Sequence, residues 1–546
     1  MRPAKINPYG IRTPNPTVWP QYPYNEVPHT PERSVARYTI QNDWNQAVTV
    51  RDGTKLLLDV YRPNMMGEKF PALVSFSPYT RQLQRDSAPI GQNEAGISEF
   101  WVPRGYAHVI VDVRGTNGSG GSWDMMGPEE QKDMADIIEW VAEQPWCDGN
   151  VGMMGCSYFA MTQNLAAEQQ PPSLKAIFPY DACTDLYRDF YFSGGIPHDG
   201  FQRIWFSDIT FLNFWGGRNP NTAGLTRQFE TILSLKYPLD GEFYWERSAW
   251  PNLDKIQIPA YFGCHWSFYN LHLRGAFDAW YNTGNITKRL LIGPDPLPQR
   301  QYANYHMEAL RWYDHFLKGM DTRVLDGAPI HLWIEGDDHW RDEYEWPLAR
   351  TQWVKFYLGG SVGNGTLTDT PPLDGEQTLA YNPNDEQQWL WGQPRWVYRT
   401  EPLDQPMEVT GPIQLNLTMA STAEDTDWIV ILQDEAPDGT VKEVTRGWLR
   451  SSHRAVDPAR SRPNEPWHPH NRVDLLTPNQ PEELNIAIRP TARVFGQGHR
   501  IRLELANCDS IVTNNFWFKR TLPWPAKNTV IQGAGKSHLI LPVIPR

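Results

Sequence analysis

The sequence has few cysteines, no long apolar segment and no excess of positive charge. Its five cysteines among 546 residues are odd in number and lie mostly in apolar surroundings, which favours reduced thiols over a disulfide framework. No stretch reaches the length of a transmembrane helix, and no N-terminal apolar run follows a basic start. The net charge of -13 favours neither nucleic acid nor an anionic membrane as a partner. We therefore expect a cytoplasmic protein that binds neither.

What the chain does contain is a short apolar strand that runs into Gly155-Cys156-Ser157 and is followed by a helical pattern. A strand, a sharp turn at serine and a helix form a nucleophile elbow, in which the serine hydroxyl projects above the end of a parallel sheet. Gly155 suits the strained turn, whereas Phe159 is larger than the residue usual at that position. Taken alone, a Gly-x-Ser pattern is more often structural than catalytic.

The segments before the elbow give that serine a context. Residues 107–113 form a near-continuous apolar run, which is typical of a strand covered on both faces. Residues 128–143 predict a helix, because Pro128 opens the segment and apolar residues such as Met134 and Ile137 recur at helical spacing. The order of strand, glycine-rich loop, helix, strand, elbow and helix indicates an α/β class chain with an α/β-hydrolase domain.

Changes in composition along the chain predict four regions. Residues 1–35 are rich in Pro, Asn and Tyr and predict an extended arm that lies on the body or on a partner subunit of a homo-oligomer. Residues 36–183 and 251–328 form the predicted α/β-hydrolase domain. The aromatic-rich residues 184–250 predict an inserted helical cap that roofs a pocket. Residues 329–546 alternate as short strands between turns and predict a C-terminal all-β jelly-roll domain.

Motifs along nearly the whole chain carry a family resemblance. They include Asp112-Val113-Arg114-Gly115, Gly155-Cys156-Ser157-Tyr158, the helix motif from Arg311 to Gly319, and Asp425-Thr426-Asp427-Trp428. With these motifs the sequence resembles the X-Pro dipeptidyl-peptidase-like group of α/β-hydrolases, which contains cocaine esterase and the α-amino acid ester hydrolases. The resemblance implies a catalytic α/β domain, a helical cap and a jelly roll. It also implies hydrolysis of esters or peptides through a Ser-Asp-His triad.

Residue by residue, the resemblance assigns the nucleophile to Ser157. It assigns the oxyanion hole to the backbone N–H of Tyr158 and the hydroxyl of Tyr79, which lies in a Pro-Tyr loop. Removing one oxyanion donor typically costs about 3 kcal/mol of barrier. We therefore expect a small-molecule substrate and no cofactor, and no Cys/His cluster has the spacing of a metal site.

Two positions of the triad depart from the family pattern. The family acid follows a tryptophan by two residues, and here Phe268 stands two residues after Trp266. The family histidine lies in a Gly-Pro-Trp-x-His run, and here Leu297 fills its position, two residues after Asp295. We expect these four residues to line the substrate pocket.

A serine hydroxyl without a base is a poor nucleophile at neutral pH, so a replacement base is needed for turnover. His265, at the end of the strand before Trp266, is the first candidate, with His272 and Asp295 behind it.

Three functions remain open at this point. The first is hydrolysis of ester, thioester or amide bonds of a small apolar or aromatic acyl substrate through Ser157 with a non-standard base. The second is non-hydrolytic chemistry in the same pocket, such as a lyase, isomerase or cyclisation reaction, and the third is a non-catalytic pseudo-hydrolase. Retention of Ser157 and Tyr79 favours an enzyme, whereas the loss of both triad partners favours the second and third functions.

Overall fold

The computed structural model describes residues 33–86, 94–215, 235–284, 286–294, 305–391, 394–512, 514 and 516–546. The predicted N-terminal arm lies outside these residues except for residues 33–35, and so do Asp295 and Leu297. Within the described ranges, no helix combines the length and apolar character needed to cross a membrane.

A ten-stranded sheet forms the centre of the N-terminal half of the chain. The strands of this half are β1 (Ile40–Thr49), β2 (Lys55–Pro63), β3 (Phe70–Ser77), β4 (Ala107–Asp112), β5 (Cys147–Cys156), β6 (Leu174–Tyr180), β7 (Phe192–Ser193), β8 (Ile196–Pro197), β9 (Ala260–His265), β10 (Lys288–Gly293), β11 (Ile330–Ile334) and β12 (His339–Glu343). The sheet order is β1-β2-β4-β3-β5-β6-β9-β10-β11-β12, while β7 and β8 pair separately. Strands β3 to β6 and β9 to β11 run parallel, so their carboxyl ends meet at one edge, where α/β folds place their ligands.

Helices cover both faces of this sheet. In the described residues they are α1 (Gln82–Arg85), α2 (Ser98–Trp101), α3 (Pro128–Ala142), α4 (Tyr158–Glu168), α5 (Asp199–Trp215), α6 (Glu242–Trp245), α7 (Leu273–Asn282) and α8 (His306–Lys318), and α9 (Glu386–Trp391) follows in the C-terminal half. The α3 helix begins at Pro128 and buries Met134, Ile137 and Ile138, as its sequence pattern predicts. The α4 helix is buried along its whole length, which is consistent with its lack of basic residues.

The region between β6 and β9 lies over the carboxyl ends of the parallel strands. It contains a π-helical turn (Leu186–Tyr191), the β7–β8 hairpin, α5 and α6. Trp205 of α5 stacks on Tyr158, with ring centroids 6.2 Å apart, and contacts Tyr79 edge to face. The aromatic residues of this region therefore pack directly over the start of α4.

The C-terminal half is an all-β domain whose sheet has eleven strands. They are β13 (Gln352–Ser361), β14 (Asn364–Thr368), β15 (Gly375–Tyr381), β16 (Trp396–Arg399), β17 (Met407–Ser421), β18 (Asp427–Glu435), β19 (Val441–Arg450), β20 (Glu482–Phe495), β21 (Arg500–Ala506), β22 (Ala526–Gln532) and β23 (His538–Ile544). The last strand, β23, pairs with both β13 and β17, which folds the sheet back on itself. Buried side chains such as Leu415, Trp428 and Leu503 form its core. The chain therefore has an α/β-hydrolase domain followed by an all-β domain.

The first sheet extends beyond residue 328, the limit that the sequence analysis gives to the α/β domain. Strand β11 pairs in parallel with β10, and β12 completes this sheet as an antiparallel edge strand. The alternating pattern of a strand does not specify which sheet the strand joins. The sequence therefore predicts β11 and β12 as part of the β domain, whereas they belong to the first sheet. Directly after β11, the amide of Glu335 donates to the carbonyl of Ala492 (2.9 Å), and the amide of Val494 donates to the carbonyl of Glu335 (2.8 Å). The two sheets are thus hydrogen-bonded to each other through β20.

Candidate active site

Ser157 occupies the turn between β5 and α4. Its backbone has φ 60° and ψ -121°, a strained conformation for a residue with a Cβ atom. At Gly155, where φ is 122°, an added Cβ would lie 2.5 Å from the Cβ of Phe159 and 2.8 Å from the carbonyl of Glu94. The positive φ and these two close approaches, one to a Cβ atom and one to a backbone carbonyl, make glycine at 155 obligatory, and the turn retains the geometry of a nucleophile elbow.

An imidazole lies against the serine hydroxyl. His272 Nε2 is 3.3 Å from Ser157 Oγ, and His272 Nδ1 is 3.3 Å from Cys183 Sγ. The Cys183 thiol in turn lies 3.4 Å from the carbonyl of Leu271, to which it donates. With a proton on Nδ1, these contacts form one directional chain in which Ser157 donates to His272, His272 to Cys183, and Cys183 to the backbone. All three side chains of this Ser157–His272–Cys183 row are buried.

The sequence favours His265 as the base, but the imidazole within hydrogen-bonding distance of Ser157 belongs to His272. His265 ends β9 and is fully buried, with Nδ1 3.3 Å from Asp181 Oδ1. The reason is local: a 3₁₀ helix over Trp266–Asn270 turns the chain back after β9 and delivers His272 to the elbow at the start of α7. Sequence distance from the vacant acid position does not reveal that reversal.

Phe268 packs against both of these histidines. Its ring stacks on His265 with centroids 4.3 Å apart and on His272 with centroids 5.2 Å apart, with planes within 15° in each pair. The edge of Trp517, from the β domain, contacts the same ring at 6.0 Å. The phenylalanine thus fixes the plane of His272 by apolar contact.

The two predicted oxyanion donors flank the elbow. Tyr158 is the first residue of α4, so its amide has no partner within the helix. Tyr79 lies in the loop after β3, where its ring packs against Tyr158 and Phe159. Its hydroxyl accepts a hydrogen bond from Trp205 Nε1 (3.0 Å), and an accepted hydrogen bond strengthens a hydroxyl as a donor.

Buried ion pairs hold the loop that carries Tyr79. Arg81 pairs with Asp112 and Asp59, and its amide donates to Asp112 Oδ1 (2.8 Å). Burial is the main reason why the pKa of Asp112 is raised to about 7. Asp112 therefore has a structural role, since its contacts are with the loop backbone and Arg81.

Tyr158 has a second role through its side chain. Its hydroxyl donates to Glu130 Oε1 (2.7 Å) and accepts from Trp123 Nε1 (3.3 Å). Burial raises the pKa of Glu130 to about 8. Because the hydroxyl points toward α3, only the backbone of Tyr158 is available to a substrate carbonyl.

Comparisons with known proteins identify the two domains of the chain. Residues 52–294 match the model of the X-Pro dipeptidyl-peptidase (S15 family), and residues 322–540 match the X-Pro dipeptidyl-peptidase C-terminal non-catalytic domain. The chain belongs to the X-Pro dipeptidyl-peptidase family of hydrolases. The predicted resemblance is thereby confirmed.

Relatives in this hydrolase family are similar along almost the whole chain. Cocaine esterase from Rhodococcus sp. (strain MB1 Bresler) is 28% identical over 92% of this chain and 98% of its own. A putative serine esterase of Mycobacterium bovis is 26% identical over 85% of this chain and 90% of its own.

Solved structures share the fold. A CocE/NonD family hydrolase from Staphylococcus aureus superposes with a TM-score of 0.80 at 24% identity, covering 97% of this chain and 99% of that one. An α-amino acid ester hydrolase superposes with a TM-score of 0.73 at 19% identity, covering 95% of this chain and 100% of that one.

The structure describes two of the four residues that the family pattern predicts to line the pocket. Trp266 is buried, and its indole donates to the carbonyl of Trp333 (2.7 Å), so it belongs to the core between β9 and β11. Phe268 lies against the base, as described above. Asp295 and Leu297 remain predictions because they lie outside the described residues. The sequence does not predict a role for Cys183 or Trp205 at the site. Cys183 has one because it lies next to His272, and Trp205 because it lies next to Tyr79.

One group of side chains near the site has metal-ligand chemistry. The ligand atoms of Asp181, Cys264 and His265 lie within 4.8 Å of one another, and all three residues are buried. Cys264 Sγ donates to the backbone carbonyl of His265 (3.6 Å), and His265 Nδ1 lies 3.3 Å from Asp181 Oδ1.

Proposed function

We propose that the protein hydrolyses ester, thioester or amide bonds of a small apolar or aromatic acyl substrate, with Ser157 as nucleophile and His272 as base. The observation that carries this proposal is the 3.3 Å separation of Ser157 Oγ and His272 Nε2 at a nucleophile elbow. Membership of a hydrolase family supports acyl transfer as the reaction class.

The reaction follows from the directional chain of hydrogen bonds. His272 Nε2 takes the proton of Ser157 as Oγ attacks the acyl carbonyl, and the developing oxyanion accepts from the Tyr79 hydroxyl and the Tyr158 amide. The tetrahedral intermediate collapses when the imidazolium protonates the leaving alcohol, thiol or amine. Water, deprotonated by His272, then attacks the acyl-enzyme, and the second collapse returns the proton to Ser157 and releases the acid.

Cys183 takes the place that a carboxylate has in the family triad. A thiol that accepts the Nδ1 proton holds the imidazole in the productive tautomer, but a neutral thiol stabilises an imidazolium less than a carboxylate does. We therefore propose a slower hydrolase than its relatives, with the position of His272 maintained by Cys183 and by stacking on Phe268.

The aromatic surroundings support the substrate class. The elbow lies beneath Trp205, and Phe190 contacts Trp205 edge to face with centroids 5.4 Å apart. Phe268 and Trp517 form a second apolar wall next to His272. Such a lining favours a flat apolar acyl group over a charged one.

Fluorophosphonate labelling followed by intact mass tests the mechanism. The wild type should gain one label, and both Ser157→Ala and His272→Ala should lose it, because each removes a partner of the proton transfer. His265→Ala is the matched control and should label like the wild type. Equal labelling of His272→Ala and wild type would contradict the assignment of the base.

A second candidate is non-hydrolytic proton transfer in the same pocket, favoured by the phenylalanine at the family's acid position. There His272 would abstract a substrate proton, and Tyr79 and the Tyr158 amide would stabilise the resulting enolate. Folded wild-type protein that does not react with the fluorophosphonate would favour this candidate.

A further inference from the structure

A cavity of about 110 Å³ lies between the α/β domain and the β domain. The α7 helix forms one wall, the middle of β20 another, and the loop over residues 460–470 a third. Its lining is dominated by guanidinium groups and aromatic rings, among them Arg188, Arg274, Arg462, Arg489, Tyr281 and Trp467.

Buried carboxylates neutralise some of these arginines. Arg188 pairs with Asp185 (2.7 Å) and Asp240 (2.8 Å), and Arg274 pairs with Asp189 (2.6 Å). Arg188 and Arg274 line the cavity, and their carboxylate partners lie behind them. Their charges are therefore satisfied without a ligand.

Arg489 differs from these arginines. Its Nη2 donates to the carbonyl of Arg188 (3.2 Å), and its Nε has no hydrogen-bond partner among the residues that the structure describes. Burial, and secondarily repulsion from Arg274, lowers the pKa of Arg489 to about 10. The group is still protonated at neutral pH, so an anion next to it would recover the electrostatic energy that burial costs.

Asp189 and Asp185 favour the charge of Arg489, but less than burial and Arg274 oppose it, and the carboxylates that line the cavity have other partners. Asp278 is 3.7 Å from Arg274, and Glu465 accepts from Tyr281 (3.1 Å). Burial raises the pKa of Glu465 to about 7, so a substantial fraction of it is neutral near physiological pH.

The aromatic rings of the cavity are already arranged around cations. The guanidinium of Arg188 lies 4.2 Å from the ring centre of Trp467, and that of Arg462 lies 3.8 Å from the ring centre of Tyr281. Phe277 and Trp448 add apolar surface. A ligand that is flat and apolar at one end and anionic at the other would match both parts of the lining.

We infer that this cavity binds a small aromatic carboxylate, with its carboxylate on Arg489 and its ring against the aromatic wall. The site is separate from the Ser157–His272–Cys183 row, and its occupancy does not require turnover at Ser157. The helix α7 starts directly after His272 and carries Arg274 into the cavity, so both sites share one rigid element.

Titration calorimetry with benzoate on the full-length protein tests the inference, with benzamide as the neutral analogue. We expect saturable binding of benzoate and at least about tenfold weaker binding of benzamide, because only the carboxylate gains the charge-assisted bonds. Arg489→Gln should weaken benzoate binding by at least about tenfold. Arg472→Gln is the matched control, because Arg472 is 65% exposed and pairs on the surface with Asp474.

If Arg489→Gln does not fold, Arg462→Gln provides the same test from the rim of the cavity and should also weaken benzoate binding. The inference is overturned if the wild type binds no benzoate, if benzamide binds equally well, or if the folded cavity variants bind like Arg472→Gln. None of these results depends on whether Ser157 reacts with a fluorophosphonate, so the two proposals fail separately.

Discussion

Phe268 stacks on His272 with ring centroids 5.2 Å apart and ring planes 13° apart. By the family resemblance, the acid that pairs with the histidine of position 297 stands at position 268. This chain places an aromatic ring there, which acts on His272 by packing alone.

Replacing Phe268 by leucine should therefore lower kcat without a comparable change in KM. The stacked pair contributes about 0.5–1.5 kcal/mol, which corresponds to a rate loss of up to about tenfold once the imidazole can rotate. Steady-state hydrolysis of an aryl ester measures both constants. Phe178→Leu, in the core on the other side of the sheet, is the control and should reduce stability while leaving kcat unchanged. An unchanged kcat in folded Phe268→Leu would contradict the positioning role.

Cys183 can be tested by the pH dependence of kcat/KM. Cys183→Ala removes the partner of His272 Nδ1 and should lower kcat/KM by about tenfold, the loss of roughly 1.4 kcal/mol. Cys183→Asp places an opposite charge beside the imidazole and should raise the pKa of the His272 imidazole. The acidic limb of the profile would then move to higher pH. Cys147→Ala, at another buried cysteine, should keep the wild-type profile, and a Cys183→Asp profile identical to wild type would exclude the contact.

Trp205 and Trp123 form a matched pair for testing the oxyanion hole. Trp205 donates to the hydroxyl of Tyr79, whereas Trp123 donates to the hydroxyl of Tyr158, which faces away from the substrate. Tyr79→Phe should reduce kcat by about 10²–10³-fold. Trp205→Phe should reduce it by about two- to tenfold, the value of one neutral hydrogen bond. Trp123→Phe should leave kcat unchanged, and equal effects of the two tryptophan variants would exclude a specific role for Trp205.

Glu130 predicts a pH dependence of stability. Burial raises the pKa of this carboxyl from 4.5 to about 8, so the folded chain holds the proton to higher pH than the unfolded chain. The stabilisation is fully present below pH 4.5 and is lost as the pH rises toward about 8, at a limiting rate of about 1.4 kcal/mol per unit. Glu130→Gln cannot ionise and keeps an acceptor for Tyr158. Thermal unfolding between pH 5 and about 9 should therefore show a smaller decrease of Tm for Glu130→Gln than for wild type, and parallel curves would contradict the raised pKa.

The sequence could predict the sheet, the elbow and the all-β domain because each depends on local patterns. Residues 107–113 are apolar on both faces, and Ser157 lies between a strand and a helix in every reading of the pattern. The base could not be predicted in the same way. The choice between His265 and His272 depends on the 3₁₀ helix over Trp266–Asn270, where the chain reverses direction. No periodicity in those residues predicts this reversal.

Hydrogen-bond partners from distant segments of the chain could not be predicted from the sequence either. Cys183 follows β6 and reaches His272 across 89 residues of chain, and Trp205 reaches Tyr79 across 126. Nothing in the apolar neighbourhood of a single cysteine distinguishes a packing role from a role beside an imidazole. Arg489 is a similar case: no carboxylate of the described residues forms an ion pair with it, and this depends on how β20 meets the α/β domain.

The hydrogen bonds between Glu335 and β20 make the two halves of the chain interdependent. A shortened chain ending before Ile330 would leave β10 as an open edge, which invites pairing with other molecules. A chain ending after Glu343 would close that edge but deprive the Glu335 amide of the Ala492 carbonyl and its carboxylate of Arg493. Neither half has a boundary at which it is complete, so we expect the two halves to unfold as one cooperative unit, with the β domain stabilising the α/β domain.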